Sequence, residues 1–167
     1  MPAPLTRASL PVRPTRAPVT TLDSFEMLDA THREVMHTLE RMRQWVQQLE
    51  DEGLSPATRA TADEICRFFD GTARAHHAAE ERFVFPSLLD SGDAALVQHV
   101  QRLQQDHGWL EEDWLELQPQ LRAVVEGTSG FDAAFLRAAV PVFTELYRDH
   151  ISLEETIVYP ESRRRQA

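Results

Sequence analysis

His76-His77-Ala78-Ala79-Glu80-Glu81-Arg82-Phe83-Val84-Phe85-Pro86 returns seventy-four residues later as His150-Ile151-Ser152-Leu153-Glu154-Glu155-Thr156-Ile157-Val158-Tyr159-Pro160. Both stretches read H-x-x-x-E-E-x-[FI]-V-[FY]-P. The register holds upstream, where Phe69 matches Phe143 and Arg74 matches Arg148. A histidine and a glutamate four apart lie on one face of a helix and can reach one point. An imidazole and a carboxylate on adjacent turns form a metal-binding pair. Two such pairs imply two metals or one shared centre.

Outward from the repeat, the chain divides into four long helical patterns. The first, from about 23 to 51, places Phe25, Leu28, Val35, Leu39, Met42, Val46 and Leu49 at steps of three and four, the seam of a packed helix. His32 holds the vacant seam position. Asp23 with Glu26 reads as its capping box, and Gly53 closes it. The second runs from Ser55-Pro56, a cap followed by proline at the first helical position, to about Phe85, where Pro86 marks its end. Its seam is Ile65, Phe69, Thr72, His76, Ala79/Glu80 and Phe83. The third, from about Asp93 to Glu126, carries Leu96, Val100, Leu103, His107, Leu110, Trp114, Leu117 and Leu121, with a late kink expected at Pro119. The fourth, from about Asp132 to Tyr159, is expected to bend at Pro141. It buries Phe135, Ala139, Phe143, Leu146, Tyr147, His150, Leu153, Glu154 and Ile157.

Four long helices with short connections predict an all-α, antiparallel up-down-up-down four-helix bundle over residues 23–160. Residues 1–22, with five prolines, read as an extended or disordered tail, and residues 161–167 as a short basic, frayed end. At a rise of about 1.5 Å per residue, His32 and His76 both fall roughly 15 Å from the same end of the bundle. His107 and His150 land at that level within about a turn.

Composition sets limits on what this bundle does. The 167 residues, 42% hydrophobic, suffice for one domain with a real core. The formal net charge is −10, and all 27 acids lie between Asp23 and Glu161, while Arg7, Arg13 and Arg16 precede them. A body this acidic disfavours nucleic acid and anionic lipid and tolerates cations. No apolar run is long enough to span a bilayer, the N-terminus lacks the apolar core of a secretory signal, and a single cysteine, Cys66, excludes an internal disulfide framework. The expected location is cytoplasmic.

Four histidines on four seams at one height, with Glu80 and Glu154 on buried faces, would cost several kcal/mol each to bury without partners. Cations at the centre offset that cost. His77, about 100° around the helix from His76, still reaches a second metal beside the first. Glu81 and Glu155 point further round, as acids that contact ligands or pair with arginine on a neighbouring helix. Glu111, one turn after His107, is an extra ligand or a partner to a bound imidazole. Tyr147 donates a hydrogen bond into the centre or fills core. Cys66, Trp45, Trp109 and Trp114 read as packing.

These residues resemble the hemerythrin-like proteins of the HHE cation-binding family over about 23–160. The family pattern is a histidine on the first helix, H-x-x-x-E on the second, a histidine on the third and H-x-x-x-E on the fourth, here His32, His76 with Glu80, His107, and His150 with Glu154. The chain departs from hemerythrins proper, which carry a second histidine where Glu111 stands and end in His-x-x-x-x-Asp. Many bacterial relatives instead take the seventh ligand from the residue after the second-helix histidine, here His77. The resemblance implies two iron ions with an oxo or hydroxo bridge, Glu80 and Glu154 as carboxylate bridges, and about one position open to dioxygen, nitric oxide or peroxide. Zinc, manganese or cobalt would also suit the ligands. The apolar surroundings expected to exclude water are Leu28, Val35, Leu103, Leu110, Leu146 and Ile157. With no evident acid for cleaving an O–O bond except Tyr147, binding is favoured over catalysis. A redox enzyme acting on peroxide or nitric oxide, an iron-donating repair protein and a metal- or oxygen-responsive interaction module stand as the alternatives.

Overall fold

Helix caps written into the sequence set where the rods begin. The computed structural model describes residues 21–167; the segment before Thr21, and the side chain of Asp23 with its expected capping box, lie outside the described residues. The first rod is α1 (Thr21–Glu52), which starts two residues earlier than the seam alone predicts. The second is α2 (Pro56–Arg67), a π-helical stretch (Phe68–Ala73), α3 (Arg74–Phe83) and a short α4 (Phe85–Leu89). The third is α5 (Ala94–Glu126). The fourth is α6 (Ala133–Leu153), a second π-helical stretch (Glu154–Val158) and α7 (Tyr159–Gln166). Every regular element among the described residues is helical.

Ser55 caps α2 in a reciprocal box: its Oγ accepts the Thr58 N–H at 3.1 Å, and Thr58 Oγ1 accepts the Ser55 N–H at 2.8 Å. Asp93 Oδ1 accepts the N–H groups of Ala95 and Leu96, both at 3.1 Å. Gly127 ends α5 with φ +73°, a conformation other residues adopt at a cost. Pro119 and Pro141 sit inside α5 and α6, each of which runs on through its proline.

Each rod packs on two others: α1 on α2 and α6, and α5 on the same pair. The end of α1 meets the start of α2, where Trp45 Nε1 donates to the Thr58 carbonyl at 2.9 Å. It also meets the start of α6, where Arg137 Nε donates to Glu50 at 2.7 Å. No described helix is long and apolar enough to cross a membrane.

The frayed C-terminal end is corrected. Residues 159–166 are helical, because Pro160 falls in the first turn, where its missing N–H costs nothing. Arg163 donates to Asp29 at 2.7 Å and lies over the Phe25 ring at 4.9 Å, and Ser162 is buried.

Two seam assignments shift by one residue, at matching places in the repeat. Phe83 and Ile157 are exposed (66% and 39%), and Val84 and Val158 are buried in their stead. Seven residues past the histidine is the buried position in an α-helix; one extra residue in the turn moves it to eight. In the fourth rod that residue is supplied by the π turn, whose last hydrogen bond runs from Tyr159 N–H to the Glu154 carbonyl. In the second rod the backbone departs from α geometry at Val84, with φ −106°. Thr72 is likewise exposed, and its neighbour Ala73 is buried. Trp109, expected as packing, is exposed at 42%.

The apolar core is divided. One part runs from Val35 to Leu49 on α1 and includes Ile65, Phe69, Leu110, Trp114, Phe143 and Tyr147. The other holds Phe25, Val84, Phe85, Leu88, Leu96, Val100, Leu103, Val158 and Tyr159. Between them on every rod lie the buried histidines and glutamates.

Candidate metal centre

The layer between the two cores brings all seven predicted residues together. Side-chain donor atoms of His32, His76, Glu80 and Glu154 form one group, and those of His77, Glu80, His107 and His150 form another; within each, all lie within 4.8 Å of one another. Glu80 belongs to both groups. Its Oε1 is 3.2 Å from His76 Nε2, and its Oε2 is 3.2 Å from His107 Nε2. Glu154 is split in the same sense, with Oε2 3.0 Å from His32 Nε2 and Oε1 3.1 Å from His150 Nε2. Each carboxylate therefore turns one oxygen to each group, the orientation a carboxylate needs to span two cations.

Burial makes that arrangement costly by itself. Glu80 and Glu154 are fully buried. Both nitrogens of His76 and of His150, Nε2 of His107, Oε2 of Glu80 and both oxygens of Glu154 have no hydrogen-bond partner. The short contacts among them lack hydrogen-bond geometry. Orphaned buried polar atoms carry a desolvation cost of about 1–3 kcal/mol each, more when charged. Nitrogen and carboxylate oxygen donors converging on two points are what a pair of divalent or trivalent cations would satisfy, so the residues present fit a metal.

Electrostatics tells the same story. Burial, then the charge of Glu80, pushes Glu154 well above the ordinary carboxyl range. Burial also acts on Glu80, but contacts with His107 and His76 outweigh it and hold that carboxyl well below the ordinary range. Without cations, two carboxylates this close do not share full charge. Burial and the adjacent His107 depress His77 to about 2, so its imidazole is neutral and available as a donor. His77 stacks on His107 with ring centroids 4.1 Å apart.

Two of the imidazoles have their far nitrogen held by an acid. His107 Nδ1 is 2.9 Å from Glu81 Oε1, and His32 Nδ1 is 3.0 Å from Glu155 Oε1. Asp106 Oδ2 approaches His150 Nδ1 at 3.6 Å, while its other oxygen accepts from Arg102 at 3.0 Å. A carboxylate behind an imidazole fixes its tautomer and strengthens it as a ligand. Glu81 and Glu155 are equivalent in the repeat, and each crosses to a histidine on another rod.

The family model described as the hemerythrin HHE cation-binding domain matches residues 23–162 of this chain. The chain belongs to the hemerythrin HHE cation-binding family. A protein of Haemophilus influenzae described as uncharacterized is 27% identical over 136 residues, covering 81% of this chain and 76% of the relative. No solved structure matches the chain. For an HHE domain, the His/Glu groups fit a metal-binding protein.

Glu111 departs from both of its readings, as ligand or as imidazole partner, while Tyr147 takes the second of its two, core filling. Glu111 contacts no imidazole. It is a salt-bridge partner of Arg74, at 3.1 Å from Nε, because His107 already has Glu81. Tyr147 makes no hydrogen bond to the centre; burial drives its hydroxyl upward in pKa, and its ring packs on Phe143 and beside His77.

Two residues of the site were missed by sequence reasoning. Asp106 is a buried acid adjacent to His107, a cue visible in the sequence only once the neighbouring rod is known. Tyr159 stacks on His32 (centroids 5.3 Å, 9° between planes), donates its hydroxyl to Glu80 Oε1 and lies 3.2 Å from His32 Nε2. Its signal was the repeat itself, where the paired residue is Phe85.

Proposed function

We propose that this protein is a dinuclear non-haem iron protein that binds dioxygen, or a related small molecule such as nitric oxide or peroxide, inside an antiparallel up-down-up-down bundle. One observation carries the reading: two groups of donor atoms share Glu80, and Glu154 is divided between them. The ion pairs that tie the end of α1 to the start of α6, and its start to α7, support the antiparallel arrangement.

His32 and His76 would hold one iron, and His77, His107 and His150 the other, with Glu80 and Glu154 common to both. Iron held this way supplies reversible electron donation to a small molecule. Phe85, Leu103, Leu110 and Val158 seal the layer on both sides, and the two glutamates have no contact with solvent. Exclusion of water keeps charge uncompensated except by the ligands, which favours retention of the cations. Glu81 and Glu155 hold the His107 and His32 imidazoles in the orientation that presents Nε2 to the centre. His77, the one histidine of the set not classed as buried, lines a cavity of about 10 Å³ with Tyr147, Arg74 and Glu111. That is room for about one water-sized molecule beside His77.

Elemental analysis of the purified protein tests the reading, with absorption spectra of the reduced protein before and after air. Two irons per chain with a visible band that appears in air and disappears under vacuum is the expected result. Two irons without a reversible band moves the function to redox catalysis or sensing. Absence of stoichiometric metal after reconstitution overturns it.

A further inference from the structure

The two donor groups are unequal in histidines, and the chain fills the difference with a different residue. On the His107 side, five side chains converge: His77, His107, His150 and one oxygen each of Glu80 and Glu154. On the His32 side, the corresponding count from the predicted residues is four: His32, His76 and the other two carboxylate oxygens. The repeat explains the gap, because the position of His77 is taken by Ile151. The Tyr159 hydroxyl stands in that gap. It is in contact with Glu80 Oε1 and 3.2 Å from His32 Nε2, two of the four donor atoms of that group. The separation from His32 Nε2 is one at which neighbouring ligands of one cation sit, given metal–ligand bonds of about 2.0–2.2 Å. Its counterpart Phe85 stacks on His107 in the same way and has no oxygen to offer.

We infer that Tyr159 is the fifth donor at the His32/His76 metal position, an internal ligand occupying the place that a small molecule would take there. The inference rests on the dinuclear reading above. It is carried by the placement of the oxygen and by the π turn after Glu154. That turn ends with the Tyr159 N–H bonded to the Glu154 carbonyl, and the added residue swings the ring inward over His32. On coordination the phenol O–H bond gives way to an oxygen–metal bond and the proton passes to solvent. An exogenous ligand then binds at this position only when Tyr159 is displaced.

The chain contains two tyrosines, Tyr147 and Tyr159, so the test is clean. Wild-type, Tyr159→Phe and Tyr147→Phe proteins are loaded with ferric iron, their metal content is measured, and each is titrated with azide. Wild type should show tyrosinate ring modes in resonance Raman spectra excited in the visible band. Tyr147→Phe should keep them and Tyr159→Phe should lose them with two irons retained. Azide should bind Tyr159→Phe about tenfold or more tighter, since it no longer competes with an internal donor. Two irons in wild type without tyrosinate modes overturns the assignment, whatever the variant does. So does azide binding equally or more weakly in a folded, two-iron Tyr159→Phe. Wild type that takes up no iron overturns the dinuclear reading itself and this assignment with it.

Discussion

Phe85 stacks on His107 with ring centroids 5.6 Å apart, and Tyr159, its counterpart in the repeat, stacks on His32 at 5.3 Å. Each aromatic comes from one half of the chain and lies on an imidazole from the other half: α4 on α5, and α7 on α1. The His/Glu layer is therefore roofed by the residues that immediately follow Val84 and Val158, the valines that the irregular turns bury. Ligand placement and helix irregularity are one design feature, repeated.

The shared carboxylates are the first point to test. Glu80→Ala and Glu154→Ala should each reduce bound iron from two per chain to one or none, read by elemental analysis. The two losses should be comparable, because each carboxylate turns one oxygen to each donor group.

Acids behind the imidazoles act on affinity, not on stoichiometry at saturation. Glu81→Ala and Glu155→Ala should each weaken metal binding about 10–100-fold in competition with a chelator. Glu111→Ala, which breaks the partly buried pair with Arg74, should leave chelator competition unchanged.

The register shift predicts a contrast between neighbours. Val158→Ala removes two buried methyl groups and should cost about 2 kcal/mol in urea unfolding. Ile157→Ala, at a position 39% exposed, should cost less than about 1 kcal/mol. A regular α-helix through Glu154 would reverse that order.

Alkaline stability should report on very few groups, because the chain has no lysine. Burial pushes the Cys66 thiol from its ordinary 9.0 up to about 11, and burial raises Tyr147 and Tyr159 as well. A raised acid binds its proton more tightly in the folded state. The stability it contributes is complete below pH 9.0 and lost as pH rises through about 11. Thermal melts of the metal-free protein should fall over that window, and Cys66→Ala should flatten the fall. Cys66 should also resist alkylation at pH 8 until the chain unfolds.

The meeting of His32, His76, His77, Glu80, His107, His150 and Glu154 in one layer was legible because an i, i+4 pair shares a helix face whatever the tertiary context, and because counting residues from helix ends gives heights. What was not legible came from two sources. Val158 and Tyr159 depend on one extra residue in a turn, and periodic reasoning assumes a constant period. Glu111 and Glu81 depended on a choice between helices: both are acids within reach of α5 or α3, and Arg74 captured one while His107 captured the other. Asp106 is the same kind of choice made by His150. The helical C-terminus is not legible because the apolar pattern ends at Tyr159, while Pro160 sits in the first turn of a further helix, where proline is tolerated.

The polar layer cuts the apolar core into two parts that do not pack continuously through it. With cations in place, the layer is a rivet joining two small hydrophobic blocks along all four rods. Without them, each block keeps its own contacts but the joint between them becomes the weakest plane in the molecule. The metal-free protein should then lose hydrogen-exchange protection first at the amides around His32, His76, His107 and His150, from the middle of the rods outward. The centre of the bundle, normally its most protected region, becomes the place where unfolding starts.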